Sequence, residues 1–168
     1  MKNTISILEH KNTKIVAHRG LSGIEPENTN LAFVAAGNRS YFGIETNIHV
    51  TKDGRFIIHH DDNTQRMSGE SYIIKQTDYD TLRKLQLKPR YGDDRNDITM
   101  PDLTDYINIC KNYGKVAVIE LKNAMEPKKL YEICETIEAL EYFENTIFIS
   151  FEYQNLVYVR EKYADANL

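Results

Sequence analysis

The chain has 168 residues, 41% of them hydrophobic and 27% charged, and its 21 basic and 25 acidic residues give a net charge of −4. This balance fits one globular domain with a sizeable core and excludes binding to nucleic acid through a broad basic surface. The apolar runs, such as 116–119, are too short to span a bilayer, and the N-terminal residues lack the apolar segment of a signal peptide. Cys110 and Cys134 have no CxxC spacing, so we expect two reduced thiols and a cytoplasmic protein.

Strands and helices alternate along the chain. The predicted strands are 14–18, 43–50, 56–60, 115–121 and 146–151, and the predicted helices are 28–38, 78–87, 102–113, 127–140 and 153–163. Such alternation argues for an α/β protein with a parallel sheet. No GxGxxG or GxxxxGK[ST] sequence follows the first strand, which weakens the nucleotide-binding alternatives.

Four predicted strands end in residues that suit phosphate or metal chemistry. They are His18-Arg19-Gly20, Glu45-Thr46-Asn47, His60-Asp61-Asp62 and Glu120-Leu121-Lys122. The carboxyl ends of the strands carry the chemistry in a (β/α) barrel. This agreement of position and chemistry favours a TIM-like (β/α) barrel over an open doubly wound sheet.

Two of these segments predict a divalent-cation site. Glu45, Asn47 and His49 alternate along a strand and therefore project from one face. Oxygen ligands two residues apart can hold one hard cation, Ca²⁺ or Mg²⁺ rather than zinc. Glu120 follows an apolar strand, where a carboxylate is costly unless it binds something. We therefore expect Glu45, Asn47 and Glu120 to be ligands.

The other two segments predict acid–base chemistry. His18 and His60 end strands that we expect to be parallel and to adjoin across a pocket, and imidazole titrates near neutral pH. Arg19 can bind phosphate in a bidentate manner, the alternative being a salt bridge to a nearby carboxylate. For Lys122, phosphate binding and an exposed strand end are equally good interpretations. We expect His59 to face away from His60 and to be structural.

The segments HRGLSGIEPENTNLAF, GIETNIHVTKDGRFIIHHDDNTQR, MPDLTDYI and VIELK together resemble the glycerophosphodiester phosphodiesterase family. The resemblance runs in order over most of the chain. It implies a TIM-like barrel that hydrolyses small-molecule glycerophosphodiesters to glycerol 3-phosphate and an alcohol. It also implies that residues 61–100 are an insertion that covers the pocket and sets the head-group preference.

The resemblance implies a role for each residue of the site. His18 and His60 would be the acid–base pair. Arg19 and Lys122 would bind the phosphate. Glu45, Asn47 and Glu120 would be the ligands of the divalent cation. In such mechanisms the glycerol hydroxyl of the substrate can attack phosphorus, and water then opens the cyclic product.

Two features depart from the family pattern. The family has Asp where this chain has Asn47, and an amide oxygen brings no charge to a cation. We therefore expect weakened cation affinity and low activity, unless a group such as His49 or Asp61 compensates.

About five strands are predicted where a closed barrel needs eight. We therefore expect residues 1–168 to be a C-terminally truncated domain, with open sheet edges through which copies could associate.

Three functions follow from these observations. The first is a metal-dependent phosphodiesterase. The second is a catalytically weak relative that binds phosphorylated ligands or a partner protein, which Asn47 and the missing strands favour. The third is a lipid phosphodiesterase like sphingomyelinase D, which shares the two-histidine site. Such proteins are secreted and disulfide-bonded, and this sequence has neither signal.

Overall fold

The computed structural model describes residues 5–6, 11–89, 91–92 and 95–168. Within these residues the strands are β1 (Val16–Ala17), β2 (Gly43–Val50), β3 (Phe56–Ile58), β4 (Val116–Leu121) and β5 (Thr146–Ile149). The helices are α1 (Asn30–Gly37), α2 (Gln65–Ser68), α3 (Tyr79–Arg83), α4 (Leu103–Tyr113), α5 (Pro127–Ala139) and α6 (Tyr153–Lys162). Two 3₁₀ turns lie at Ile74–Gln76 and Phe143–Asn145.

The sheet is an open part of a barrel. Its parallel strands follow the order β1-β2-β4-β5, and each neighbouring pair is parallel. This confirms the predicted α/β class and the incomplete barrel. The sheet is not closed within the described residues, although Asn167 forms a single bridge to Ile147 of β5.

The prediction that the third strand is parallel to the others is wrong. β3 pairs antiparallel with the end of β2, with Ile48 opposite Ile58 and Val50 opposite Phe56. The reason is the tight turn between them, because a parallel connection needs a crossover of about a dozen residues or more. The sheet therefore has four parallel strands, and β2 and β3 form a hairpin at its carboxyl edge.

Most predicted elements exist with small shifts at their ends. The first strand is shorter than predicted, and the predicted helix 78–87 ends at Arg83. Thr29 is the N-cap of α1, since its side chain accepts a hydrogen bond from the Ala32 N–H. Asn28 is therefore free for another role.

The two faces of β2 have different surroundings. Ile44 and Ile48 are fully buried in the main core, and the Tyr106 hydroxyl donates to the Ile44 carbonyl at 2.6 Å. Alternation along the strand places Glu45 and Asn47 on the opposite face. A second, smaller core is formed mainly by residues of the segment 61–100 and includes Ile57, Ile74, Leu82 and Met100. No helix in the described part of the chain has both the length and the apolar composition needed to cross a membrane.

Candidate active site

The three predicted cation ligands lie together at the carboxyl edge of the sheet. The parallel register of β2 and β4 places Asn47 opposite Glu120. The Asn47 Nδ2 atom donates to Glu45 Oε1 at 2.9 Å and to Glu120 Oε2 at 2.6 Å. All three side chains are buried, with 7% or less of each residue exposed. We call Glu45, Asn47 and Glu120 the carboxylate cluster.

Each carboxylate of the cluster has one more partner. Glu45 Oε2 accepts the backbone N–H of Arg19 at 2.7 Å, and Glu120 Oε1 accepts from Lys122 Nζ at 3.1 Å. Burial raises the pKa of Glu45 to about 7, and the nearby Glu120 charge adds to this rise. The Arg19 contact depends on a left-handed loop, with φ of 57° at Arg19 and 74° at Gly20. A Cβ at Gly20 would lie 2.7 Å from Ala32, so glycine is required there.

Sequence reasoning missed two buried residues, of which Asn28 contacts the cluster and Thr46 contacts Asn28. Asn28 Nδ2 donates to Asn47 Oδ1 at 2.8 Å, and Thr46 Oγ1 donates to Asn28 Oδ1 at 2.9 Å. Asn28 has φ of 54°, a conformation that Asn adopts more readily than most residues. The signal in the sequence was an Asn directly before Thr29. Because Thr29 caps α1, the cap does not explain the presence of Asn28.

The described residues contain no group of three or more His, Cys, Asp or Glu side chains that could hold a metal ion. The carboxylate cluster has two carboxylates and one amide. Its two carboxylates nevertheless converge on a single atom, Asn47 Nδ2. Oxygens that converge in this way suit a hard cation, provided that the amide turns its oxygen towards them.

The two predicted catalytic histidines lie at the edge of the cluster. His18 Nε2 is 3.9 Å from Glu45 Oε2, and 68% of the His18 side chain is exposed. Partial burial lowers the pKa of His18, and the charges of Arg19 and His60 lower it further. His60 Nδ1 lies 2.7 Å from Asp61 Oδ1. A proton on Nδ1 would be donated to this carboxylate, which leaves Nε2 for exchange with a substrate.

An ion-pair network connects the two histidines through the loops. Arg66 donates to Asp61 Oδ2 and to Glu27 Oε1, each at 2.7 Å. Arg19 Nη1 donates to the same Glu27 oxygen at 2.9 Å. The hydrogen bond from Arg66 holds the pKa of Asp61 well below its usual range. We call Arg19, Glu27, Asp61 and Arg66 the ion-pair network.

Arg19 was predicted to bind phosphate, with a salt bridge as the alternative. In the structure its guanidinium forms the salt bridge, to Glu27, while Nε donates to His18 Nε2 at 3.3 Å. Arg66 was not a predicted ligand and fixes the loop through Asp61 and Glu27. Both guanidinium groups therefore face carboxylates that fix their positions.

Two further histidines support the site from within. His49 Nε2 lies 3.4 Å from the His60 carbonyl oxygen, and burial lowers the pKa of His49 to about 4. A neutral His49 can therefore donate to the backbone of His60. His59 is buried, burial lowers its pKa, and its Nε2 finds no hydrogen-bond partner among the described residues.

A groove of about 330 Å³ opens beside Lys122. The β2–β3 hairpin, the loop that follows β4 and the 3₁₀ turn at Ile74–Gln76 line it. Its basic side chains are Lys52, Lys75, Lys122 and Lys129. Lys52 and Lys129 have acidic neighbours, whereas Lys75 forms no ion pair within the described ranges. We call this feature the lysine groove.

The fold and the site agree with a comparison of the chain against known families. Residues 18–168 match the Glycerophosphoryl diester phosphodiesterase family. The chain belongs to this family, as the resemblance of its motifs predicted.

Similar proteins occur in several bacteria. An uncharacterized protein of Bacillus subtilis, YqiK, is 33% identical over 150 residues, which cover 86% of this chain and 60% of that protein. A glycerophosphodiester phosphodiesterase of Bacillus altitudinis is 30% identical over 147 residues, with the same two coverages. The chain thus spans about three fifths of the length of these relatives.

Solved structures share the fold. A phosphodiesterase of Oleispira antarctica, in complex with its product sn-glycerol 3-phosphate, is 27% identical with a TM-score of 0.76. The match covers 91% of this chain and 63% of that one. A glycerophosphodiester phosphodiesterase of Agrobacterium tumefaciens is 24% identical with a TM-score of 0.79. That match covers 92% of this chain and 64% of the Agrobacterium chain. At that identity the second match shows the fold alone.

Proposed function

We propose that this chain carries the metal and acid–base site of a glycerophosphodiester phosphodiesterase. The reaction would release glycerol 3-phosphate and an alcohol. One observation carries the proposal: the carboxylate cluster, formed on β2 and β4, lies beside two histidines whose ring nitrogens face carboxylates. The family membership supports the same activity.

The carboxylate cluster would hold a divalent cation, Ca²⁺ or Mg²⁺. Its ligands would be the carboxylates of Glu45 and Glu120 and the amide oxygen of Asn47. The bound cation would supply positive charge to the phosphate oxygens as charge develops on them. The set has one negative charge fewer than three carboxylates, so we expect weak affinity.

The histidines would move the protons of the reaction. His18, whose lowered pKa keeps it neutral near pH 7, would accept the proton of the attacking glycerol hydroxyl. His60, held by Asp61 through Nδ1, would donate from Nε2 to the leaving alcohol oxygen as its bond to phosphorus breaks. Water would then open the cyclic product, with the two proton transfers reversed. Arg19 and Lys122 border this position and would contact the phosphate.

The lysine groove would receive the alcohol group of the substrate. It adjoins Lys122, and Lys75, from the segment 61–100, forms part of its lining. Its positive side chains favour an alcohol that carries negative charge. We therefore propose that the segment 61–100 covers the pocket and gives preference for an acidic over a cationic head group.

A second candidate is a catalytically weak relative that binds phosphorylated ligands. One observation favours it: Asn47 presents its NH₂ group, and not its oxygen, to both carboxylates. The same residues would then bind a phosphate without turning it over.

Release of glycerol 3-phosphate decides between the two, with glycerophosphocholine and glycerophosphoinositol 4-phosphate as the substrates. The assay compares Ca²⁺, Mg²⁺ and EDTA for the wild type and His18→Ala. Hydrolysis that requires a cation and is lost in His18→Ala supports the phosphodiesterase. No release under any condition, with glycerol 3-phosphate still binding in calorimetry, supports the binding protein.

A further inference from the structure

A chain of hydrogen bonds runs from Thr46 to the carboxylate cluster. The Thr46 hydroxyl donates to Asn28, the Asn28 amide donates to Asn47, and the Asn47 amide donates to both carboxylates. Asn28, Thr46 and Asn47 are at most 2% exposed, so water cannot substitute for these bonds. All of the donors point in one direction, towards Glu45 and Glu120.

The carboxylates set this direction. When Glu45 and Glu120 are ionised they only accept hydrogen bonds, so the Nδ2 atom of Asn47 must then face them. Oδ1 of Asn47 then faces Asn28, which must present its own Nδ2. The oxygen of Asn28 is left for the Thr46 hydroxyl. Without a cation, therefore, one amide orientation determines the other.

A hard cation demands the opposite direction, because it binds an amide through oxygen. Asn47 would have to turn its Oδ1 towards the carboxylates and its Nδ2 towards Asn28. Two NH₂ groups would then face each other, unless Asn28 also turns. A hydroxyl can both donate and accept, so Thr46 can accept from a turned Asn28 and end the reversal.

We propose that cation binding reverses both amides together, and that Asn28 is the positioning residue that couples them. This inference rests on the proposed function, since it takes Glu45 and Glu120 as ligands of the cation. It assigns Asn28 and Thr46 a part in cation affinity although neither would contact the ion.

The coupling can be biased in both directions. In Asn28→Asp, the new carboxylate only accepts, so it attracts Nδ2 of Asn47 and leaves Oδ1 facing the cation position. Asp tolerates the left-handed backbone at this position as Asn does. In Thr46→Val both orientations of Asn28 lose one hydrogen bond, but the turned one buries an unpaired NH₂ group, which is costlier than an unpaired carbonyl oxygen. Thr46→Ser is the matched control, because it keeps the hydroxyl.

Calorimetric titration with Ca²⁺ and Mg²⁺ measures the effect, and thermal unfolding in EDTA shows that each variant folds. We expect Asn28→Asp to bind about fivefold tighter than the wild type or better, which is about 1 kcal/mol for one buried hydrogen bond. Thr46→Val should bind only about twofold weaker, because each orientation of Asn28 loses one bond. Thr46→Ser should bind like the wild type. In NMR spectra the side-chain NH₂ signals of Asn28 and Asn47 should shift together as the cation is added.

Asn47→Asp separates this inference from the proposed function. If Asn47→Asp binds the cation while Asn28→Asp and Thr46→Val bind like the wild type, the coupling is wrong and the cation site stands. Should no variant bind, Asn47→Asp included, the cation site is absent and both proposals fall. Independent shifts of the two amide signals would also overturn the coupling.

Discussion

The carboxylate cluster and the ion-pair network meet at His18 and His60, but different parts of the fold hold their residues. The cluster lies on two neighbouring strands in fixed register, and its residues are at most 7% exposed. The network lies on loops and on the short helix α2, and its side chains are between 14% and 47% exposed. Buried polar groups depend on every partner, because water cannot replace one that is lost. Exposed ion pairs exchange partners with water at little cost. We therefore expect changes in the cluster to affect stability and changes in the network to affect mainly the orientation of the histidines.

The largest expected effect is on catalysis, where the two regions meet. His60→Ala should lower the rate of glycerol 3-phosphate release by about 10²–10⁴-fold, since it removes a proton donor. His60→Gln is the matched control, because it can hydrogen-bond but cannot carry a proton at neutral pH. Wild-type turnover in the glutamine variant would show that His60 has no acid–base role.

Next in size is the loss of the Asn47 amide. Asn47→Leu removes one buried donor from each of Glu45 and Glu120, which keep the Arg19 N–H and Lys122 as partners, and leaves the Asn28 amide without its acceptor. Each unsatisfied group costs about 1–3 kcal/mol. Urea denaturation in EDTA at neutral pH should therefore show a loss of about 3 kcal/mol. A free energy of unfolding equal to that of the wild type would contradict the view that the amide holds the cluster together.

The lysine groove should affect head-group preference more weakly. Lys75→Glu should lower the affinity for glycerophosphoinositol 4-phosphate, whose head group is negatively charged, relative to glycerophosphocholine by about fivefold. That is only about 1 kcal/mol, since the Lys75 side chain is exposed. Binding measured by calorimetry makes the result independent of turnover. Lys128→Glu makes the same charge change on an exposed lysine of α5 that does not line the groove, and should have no effect. An unchanged ratio in Lys75→Glu would remove the groove from the substrate site.

The smallest expected effect is the stability contributed by the ion-pair network. Arg66→Gln should cost less than about 1 kcal/mol at neutral pH. The pKa of Asp61 in the folded protein lies below its ordinary value of 3.8 because of Arg66. The stabilisation is therefore present above about pH 4 and is lost as pH falls through the folded pKa. Melting temperatures of the wild type and Arg66→Gln should differ most near pH 7 and converge towards pH 2; a constant difference would contradict the ion pair as its source.

Sequence patterns predicted some parts of this molecule better than others. The bounds of β2 were predicted from its alternating polar and apolar residues, and those of β4 to within one residue from its apolar run. The direction of β3 was predicted wrongly, since the short turn between β2 and β3 rules out a parallel connection. The pairing of Arg19 with Glu27 was one of two open interpretations. The contact of Asn28 with Asn47 was not predicted, because it joins a loop to a strand nineteen positions away.

The sequence by itself determined that Glu45 and Asn47 share a face, because side chains alternate along any β-strand. It also determined the family, through motifs that read in order from His18 to Lys122. Only the tertiary structure decided that Asn47 lies opposite Glu120, since the register between β2 and β4 depends on packing across 73 residues. The tertiary structure likewise decided that the NH₂ group of Asn47, and not its oxygen, faces the two carboxylates. This orientation follows from two carboxylates and a second amide that the fold alone brings within hydrogen-bonding distance.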